Sequence, residues 1–285
     1  MARLSPEFRL ALACSMWPPS DRRIEAIRAA ASGPLDWLRF LQVAKRHQVI
    51  GLVHDGLRRA LPGVPPEIAQ EIAGQAAILV RKNLGMATEA LRLQRLFDEA
   101  GLPVLFVKGA ALALLAFGDL GLRSAQDIDL LVANETLSAA TALLLHAGYR
   151  QFDPPPEISD DQMRLVMSLR KDVGLVHLAN GFRIELHWRL FLNQHAMPHT
   201  SIMRASRFVP LTGTSGLRTM SAGDLFAYLC MHGALHSWSC LKWLADINAL
   251  IAVSRDSEQL VRRWSHALST AFRDTPSRPN PCPAH

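Results

Sequence analysis

The hydrophobic period of this chain changes near residue 103, and that change requires a fold of mixed class. Before it, apolar residues recur every three to four positions, as in Trp37, Phe40, Leu41 and Ala44, and again in Leu93, Leu96, Phe97 and Ala100. Such spacing lays one apolar stripe along an α-helix. Pro18–Pro19 and the stretch from Pro62 to Pro66 break the pattern, so residues 5–100 predict a series of helices with no strand among them.

From Val104 the texture is different. The run Val104 to Lys108 is short and apolar, with Gly101-Leu102-Pro103 before it and Gly109 after it, which suits a buried strand. Residues 110–117 then read as a helix closed by Gly118-Asp119, residues 128–132 as a second strand, and residues 135–146 as an amphipathic helix ended by Gly148. Two further strand candidates, Val173–Leu178 and Phe182–Trp188, are joined by Ala179-Asn180-Gly181, a hairpin-type turn. The pattern loosens over residues 193–218. Ser221-x-x-Asp224 then resembles a capping box opening a helix to about Leu235, and another helix is expected from Ser239 to about Val253.

The fold class expected is therefore α+β, a small mixed sheet with helical parts on either side. The division expected is a helical region over 1–100, an α/β core over 101–192, a helical region over 193–272 and a Pro-rich, aperiodic and disordered tail over 273–285. The 285 residues suffice for a sizeable core.

The net charge of +6 favours anionic partners such as nucleotide phosphates. The basic residues are scattered, however, with no block of five or six Lys or Arg and only two Tyr, so a nucleic-acid surface is not expected. Cys14, Cys230, Cys240 and Cys282 form no C-x-x-C pair and read as reduced thiols. No run of 18 apolar residues predicts a membrane span, and the first twenty residues do not read as a signal peptide. A cytoplasmic protein without membrane contact is expected.

Chemistry concentrates in KGAALALLAFGDLGLRSAQDIDLLV, residues 108–132. Asp127 and Asp129 stand two apart at the start of a strand, so period-two geometry puts both on one face with Ile128 and Leu130 on the other. Two carboxylates at short range repel, and a hard cation bridging them relieves the repulsion. On this reading, removing either one from the metal-free protein should be neutral or mildly stabilising. Taken alone, D-x-D is more often a solvated strand end. What shifts the balance is the upstream strand, Gly109 and helix, which aim backbone N–H groups and a positive helix end at phosphate, with Lys108 beside them. Glu185 supplies a third carboxylate on FRIELH, sharing a face with Arg183 and His187 and opposite Ile184 and Leu186.

This pattern resembles the polymerase-beta-like nucleotidyltransferases, whose signature is a Gly-Gly or Gly-Ser pair, a spacer, D-h-D-h, and a later acidic residue on a neighbouring strand. KGAAL, GLRSAQDIDLLV, IELHW, HGALH and LKWLADINAL are similar to a bacterial nucleotidyltransferase family within that superfamily, over roughly residues 35–253. The resemblance implies a polymerase-beta-like core that uses Mg²⁺ (or Mn²⁺) to move a nucleoside monophosphate from a nucleoside triphosphate, ATP by preference, to an acceptor, with release of pyrophosphate. The acceptor stays open among small hydroxylated molecules, sugars, peptides and protein side chains. Asp127 and Asp129 match the two metal-binding aspartates, Glu185 the third catalytic carboxylate, and Gly109 the motif glycine. Ala110 stands where Ser or Gly often contacts the triphosphate, and the spacer to Asp127 is longer than usual, so Lys108 or Arg123 is expected to compensate.

Other residues carry two readings each. Arg123 is a phosphate clamp or a salt-bridge partner of Asp127 or Asp119. Lys242 and Asp246, four apart on one helix, face the nucleotide or pair with each other. His232 and His236 share a helix face, but HGALH lacks the Glu of a zincin motif, so they read as packing or pocket-lining residues. Trp188 reads as core and His187 as a supporting residue. Two non-enzymatic alternatives are a regulatory nucleotide-binding module on the same fold and a helical interaction protein in which D-x-D is incidental. Three intact carboxylates argue against the first.

Overall fold

In the computed structural model the residues described are 4–61, 63–155, 159–193, 197–254, 260–262 and 264–265. The expected tail over 273–285 lies outside them. The N-terminal third is helical as expected: α1 (Pro6–Cys14), α2 (Asp21–Ala30), α3 (Trp37–Arg46), α4 (Ile50–Ala60) and α5 (Pro66–Glu99). Side chains of Ser5, Ser20 and Asp36 accept the backbone N–H of Phe8, Arg23 and Arg39, which caps the first three helices. At 34 residues α5 is about 50 Å long. That length lets it serve two apolar clusters. Ile68, Ile72 and Ala76 join a cluster formed with α1–α4, while Met86, Ala90, Leu93 and Phe97 lie against the sheet.

The sheet holds β1 (Leu105–Phe106), β2 (Ile128–Leu131), β3 (Tyr149–Asp153), β4 (Asp172–His177) and β5 (Arg183–His187), in the order β1-β2-β5-β4-β3. β2 and β5 run parallel, and the other neighbours are antiparallel. The chain passes from β1 through α6 (Gly109–Phe117) to β2, then through α7 (Leu137–His146) to β3 and through α8 (Asp160–Leu169) to β4. Beyond the sheet come α9 (His199–Arg204), a separate hairpin of β6 (Arg207–Thr212) and β7 (Ser215–Thr219), then α10 (Ala222–Leu235) and α11 (Leu241–Val253).

Strand alternation divides the central sheet between two environments. Ile128, Leu130, Ile184 and Leu186 face the cluster that α5 and α7 cover. Leu131 on the opposite face joins the other cluster, where α10 and α11 contribute Leu225, Leu229, Leu241 and Ala249. Asp129, Glu185 and His187 share that second face by the same period of two. Polar side chains are therefore held at the boundary between the sheet and the C-terminal helices.

The loosely patterned stretch over 193–218 is more ordered than its sequence suggests, since α9 and the β6–β7 hairpin lie within it. Pro210 interrupts β6, and a two-stranded ribbon tolerates it because each strand has an open edge. β3 likewise carries no plain signal, whereas α8 was overlooked although Ser159-x-x-Gln162 opens it as a capping box. Residues 149–153 bury only Tyr149 fully, which leaves too weak an alternation to read. At α10 the Ser221 hydroxyl accepts the Asp224 N–H at 3.1 Å and donates to the Asp224 carboxylate at 2.7 Å, so the expected cap is present.

Candidate active site

The site begins where β1 ends. The backbone N–H of Val107 donates to the carbonyl of Asp129 at 3.0 Å, which brings the start of α6 alongside β2. Gly109, the first residue of α6, adopts φ +63°, and a Cβ built there would meet open space. The position thus requires glycine for its backbone rather than for room, and the space in front of it is free for a ligand. No side chain caps this helix at Lys108.

In the parallel pair, Asp129 lies opposite Glu185 and Leu131 opposite His187. Asp129 is buried, and Lys108 Nζ meets its Oδ1 at 3.0 Å. His187 Nε2 is 3.3 Å from the same oxygen and 3.4 Å from Glu185 Oε2, while its Nδ1 is 3.4 Å from Asp172 Oδ2. Among the described residues, ligand atoms of Asp129, Glu185 and His187 all lie within 4.8 Å of one another. Two carboxylates and an imidazole so placed fit a divalent cation. Asp127 is not in this tight group. It stands at the head of β2, half-buried, on the same cleft.

The two aspartates differ electrostatically. Burial works to raise the pKa of Asp129, but the Lys108 ammonium and the hydrogen bond from His187 overcome it and hold the carboxyl far below its ordinary range. Among the described residues, Asp127 has no such neutraliser in salt-bridge contact. Burial raises its pKa, the Asp129 charge raises it further, and the more distant Lys108 only partly compensates. The expectation that either aspartate could be removed at no cost therefore fits Asp127 and fails for Asp129, because Asp129 is the counter-ion of a buried ammonium. Lys108 mirrors this: burial opposes its charge, and the carboxylate of Asp129 prevails to hold its pKa above the ordinary value. For His187, burial is likewise outweighed by the hydrogen bonds to Asp129 and Glu185, so its pKa is raised.

Lys108, Asp127, Asp129 and Glu185 line the floor of a cleft of about 960 Å³, with His187 buried just beneath it, and that volume is at the upper end for small-molecule sites. Its far wall comes from α10 and α11. Tyr228, His232, His236 and Trp243 make a chain of ring contacts with centroids 4.6–5.7 Å apart. Burial, then the Lys108 charge, pushes the His232 pKa down to about 3, so this ring is neutral at ordinary pH. His232 and His236 thus line the pocket, as expected.

Arg123 and Asp246 form a two-pronged pair, at 2.9 and 3.0 Å, with side chains only 4% and 1% exposed. The salt-bridge partner of Arg123 is thus neither Asp127 nor Asp119, and Asp246 does not pair with Lys242. Sequence proximity suggested those partners, and the packing of α11 on α6 substitutes a contact 123 residues distant. Lys242 Nζ instead donates to Gln48 Oε1 at 2.6 Å and to the Ser124 carbonyl at 3.4 Å. Burial and the nearby Arg123 charge push its pKa down to about 8. Arg123 and Lys242 both line the cleft. Trp188 is buried in the core beside the sheet.

Several contributors were not singled out from the sequence. Asn83 on α5 donates to the carbonyls of Leu120 and Arg123 at 2.5 and 2.7 Å and so fixes the loop that delivers Asp127. Lys171 and Asp172 reach the cleft from β4 and its approach. No local pattern marks Asn83. His187 carried a visible signal in its place two residues beyond Glu185, on the same strand face.

Residues 33–271 match the sequence profile of a family described as uncharacterised nucleotidyltransferase. No curated protein matches the chain. Among solved structures, ANT(2")-Ia in complex with adenylyl-2"-tobramycin superposes with a TM-score of 0.46 at 14% identity, over 65% of this chain and 98% of that one. An antigenic nucleotidyltransferase-like protein from Paracoccidioides brasiliensis gives a TM-score of 0.42 at 15% identity, over 67% of this chain and 88% of that one.

Proposed function

The chain belongs to the uncharacterised nucleotidyltransferase family, and from that premise we propose that it transfers a nucleoside monophosphate from a nucleoside triphosphate, ATP by preference, to an acceptor nucleophile. The observation that carries this reading is the in-register pair Asp129 and Glu185 on adjacent parallel strands, on the floor of a large cleft whose edge holds Lys108 and Gly109.

In the proposed reaction an acceptor oxygen attacks the α-phosphorus. The new O–P bond forms as the bond from the α-phosphorus to the bridging oxygen breaks, and pyrophosphate leaves. Glu185, whose side chain is 41% exposed on the cleft, takes the proton of the attacking hydroxyl. Lys108 and the backbone at Gly109 hold phosphate oxygens, where the charge of the leaving pyrophosphate develops. Arg123 and Lys242 border the nucleotide, while Asp246, expected from the sequence to face it, is buried behind Arg123 and holds that guanidinium in place. Asp127, Asp129 and Glu185 would hold Mg²⁺ or Mn²⁺, which when bound offsets phosphate charge and acidifies the attacking hydroxyl. The rest is positioning.

The acceptor is proposed to be a small molecule, sugar, peptide or protein side chain in the cytoplasm. No described helix is long and apolar enough to cross a membrane. The test is incubation with labelled nucleoside triphosphates and Mg²⁺ or Mn²⁺, with and without candidate acceptors. Acceptor-dependent pyrophosphate release is expected. Nucleotide binding without release under every condition would favour a regulatory module instead.

A further inference from the structure

The three-carboxylate reading leaves His187 without a task, yet its place beneath the cleft floor is firmly fixed. Its backbone pairs on both sides, opposite Leu131 of β2 and Asp172 of β4, and its carbonyl accepts the Val132 N–H at 3.0 Å. Its side chain is 2% exposed. Nε2 points between Asp129 Oδ1 and Glu185 Oε2, at 3.3 and 3.4 Å, and Nδ1 faces Asp172 Oδ2 at 3.4 Å. Lys171 Nζ, 3.4 Å from Nδ1, is committed to Asp172 at 2.5 Å.

We propose that His187 is a direct ligand of the metal centre, oriented by Asp172, and that the centre therefore takes a first-row transition-metal dication in preference to Mg²⁺. This rests on the metal-dependent transfer proposed above. The chemistry is that of the donor set. Without a cation, Nε2 lies within hydrogen-bond reach of Asp129 Oδ1 and donates its proton there; a cation seated between the carboxylates would take that proton's place on Nε2, and Asp172, facing Nδ1 at 3.4 Å, is placed to accept the proton the neutral ring then carries on Nδ1. A carboxylate behind a ligating imidazole is the usual way a protein fixes the ring and its tautomer. Mg²⁺ favours oxygen donors and retains its waters, whereas a buried imidazole nitrogen suits transition-metal ions. An Asp, Glu and His set is thus tuned differently from an all-carboxylate one.

The test uses the full chain and Mn²⁺ as an EPR-visible probe, with Mg²⁺ as competitor and no nucleotide. Pulsed EPR of the Mn²⁺-loaded wild type should show nitrogen-14 modulation from a coordinated imidazole, and His187→Gln should lose it. Mn²⁺ affinity should fall about tenfold or more in His187→Gln and about 10- to 100-fold in Asp172→Asn, with Mg²⁺ affinity within about twofold of wild type in both. Circular dichroism confirms that the variants fold, and the wild-type spectrum stands without them. Bound Mn²⁺ with no nitrogen coupling would overturn the role of His187 while leaving the carboxylate centre intact. A ratio of Mn²⁺ to Mg²⁺ affinity unchanged by His187→Gln would do the same. A wild type that binds neither ion would bring down the metal-dependent reading itself, and this inference with it.

Discussion

Replacing Asp246 with Asn leaves the guanidinium of Arg123 buried without its counter-charge. The two side chains are 4% and 1% exposed, so solvent does little to screen either one. Their contact is two-pronged, at 2.9 and 3.0 Å, and it ties the loop before β2 to α11. Removing one partner of such a pair costs about 3–5 kcal/mol, because the remaining charge stays desolvated. At about 2–4 °C per kcal/mol for a chain of this size, the melting temperature should fall by about 6–20 °C. Scanning calorimetry measures that directly. The double variant Arg123→Met/Asp246→Leu removes both charges and should recover most of the loss, since apolar replacement of a buried pair is often neutral or better. The double variant also separates the two readings of Arg123. If the guanidinium meets the triphosphate as well as Asp246, the refolded double variant still binds nucleotide weakly. A fall of less than about 2 °C in Asp246→Asn would show that the guanidinium finds water or another partner, and the anchoring argument would fail.

Asp127→Asn should abolish transfer while leaving the melting temperature unchanged or slightly raised, whereas Asp129→Asn should also cost about 3 kcal/mol by orphaning the Lys108 ammonium. Equal thermal shifts for the two variants would contradict the environments described for them. Glu185→Gln should lower turnover about 10²-fold or more with nucleotide affinity largely intact, and turnover within a few-fold of wild type would show that another group takes the proton and leave the third carboxylate unassigned. Gly109→Val forces a β-branched residue into φ +63°, which should cost about 1–2 kcal/mol and weaken nucleotide binding measured by calorimetry. Unchanged affinity would move the phosphate away from α6. Lys242, with its pKa pushed down to about 8, should lose its charge as pH rises through that value, so nucleotide affinity should decline there and flatten in Lys242→Met. Stability should move the opposite way. The folded form sheds this proton near 8 and the unfolded chain near 10.5, so burial of the ammonium destabilises below that window and the penalty lifts across it.

What the sequence made legible follows the range of the interactions involved. The strand at Ile128–Leu131, the helix from Gly109 and the hairpin between β4 and β5 all rest on neighbours within a few residues, through period-two alternation, a helix-starting glycine and a turn. The faces of β2 and β5 were legible too, because FRIELH and DIDLLV each put acidic groups on one side and aliphatic groups on the other, but the parallel register that sets Asp129 opposite Glu185 was not. The β6–β7 hairpin was hidden by Pro210 and by strands with few buried residues, a pattern that only its packing against β1 and α5 makes stable. Arg123 with Asp246, and Asn83 with the Leu120 and Arg123 carbonyls, span too much chain for any local rule. The sharpest case lies inside the motif itself. Period-two geometry makes Asp127 and Asp129 equivalent, two like charges on one face. The fold then sets Lys108 and His187 on one of them and leaves the other half-buried beside it, because β1 ends level with Asp129 and His187 stands two residues beyond its partner Glu185. Neutralising one carboxylate internally fixes it in place without a metal. The other is left under repulsion that Lys108 and Lys242 only partly offset, so structural anchoring falls to Asp129 while Asp127 carries the unrelieved charge of the motif.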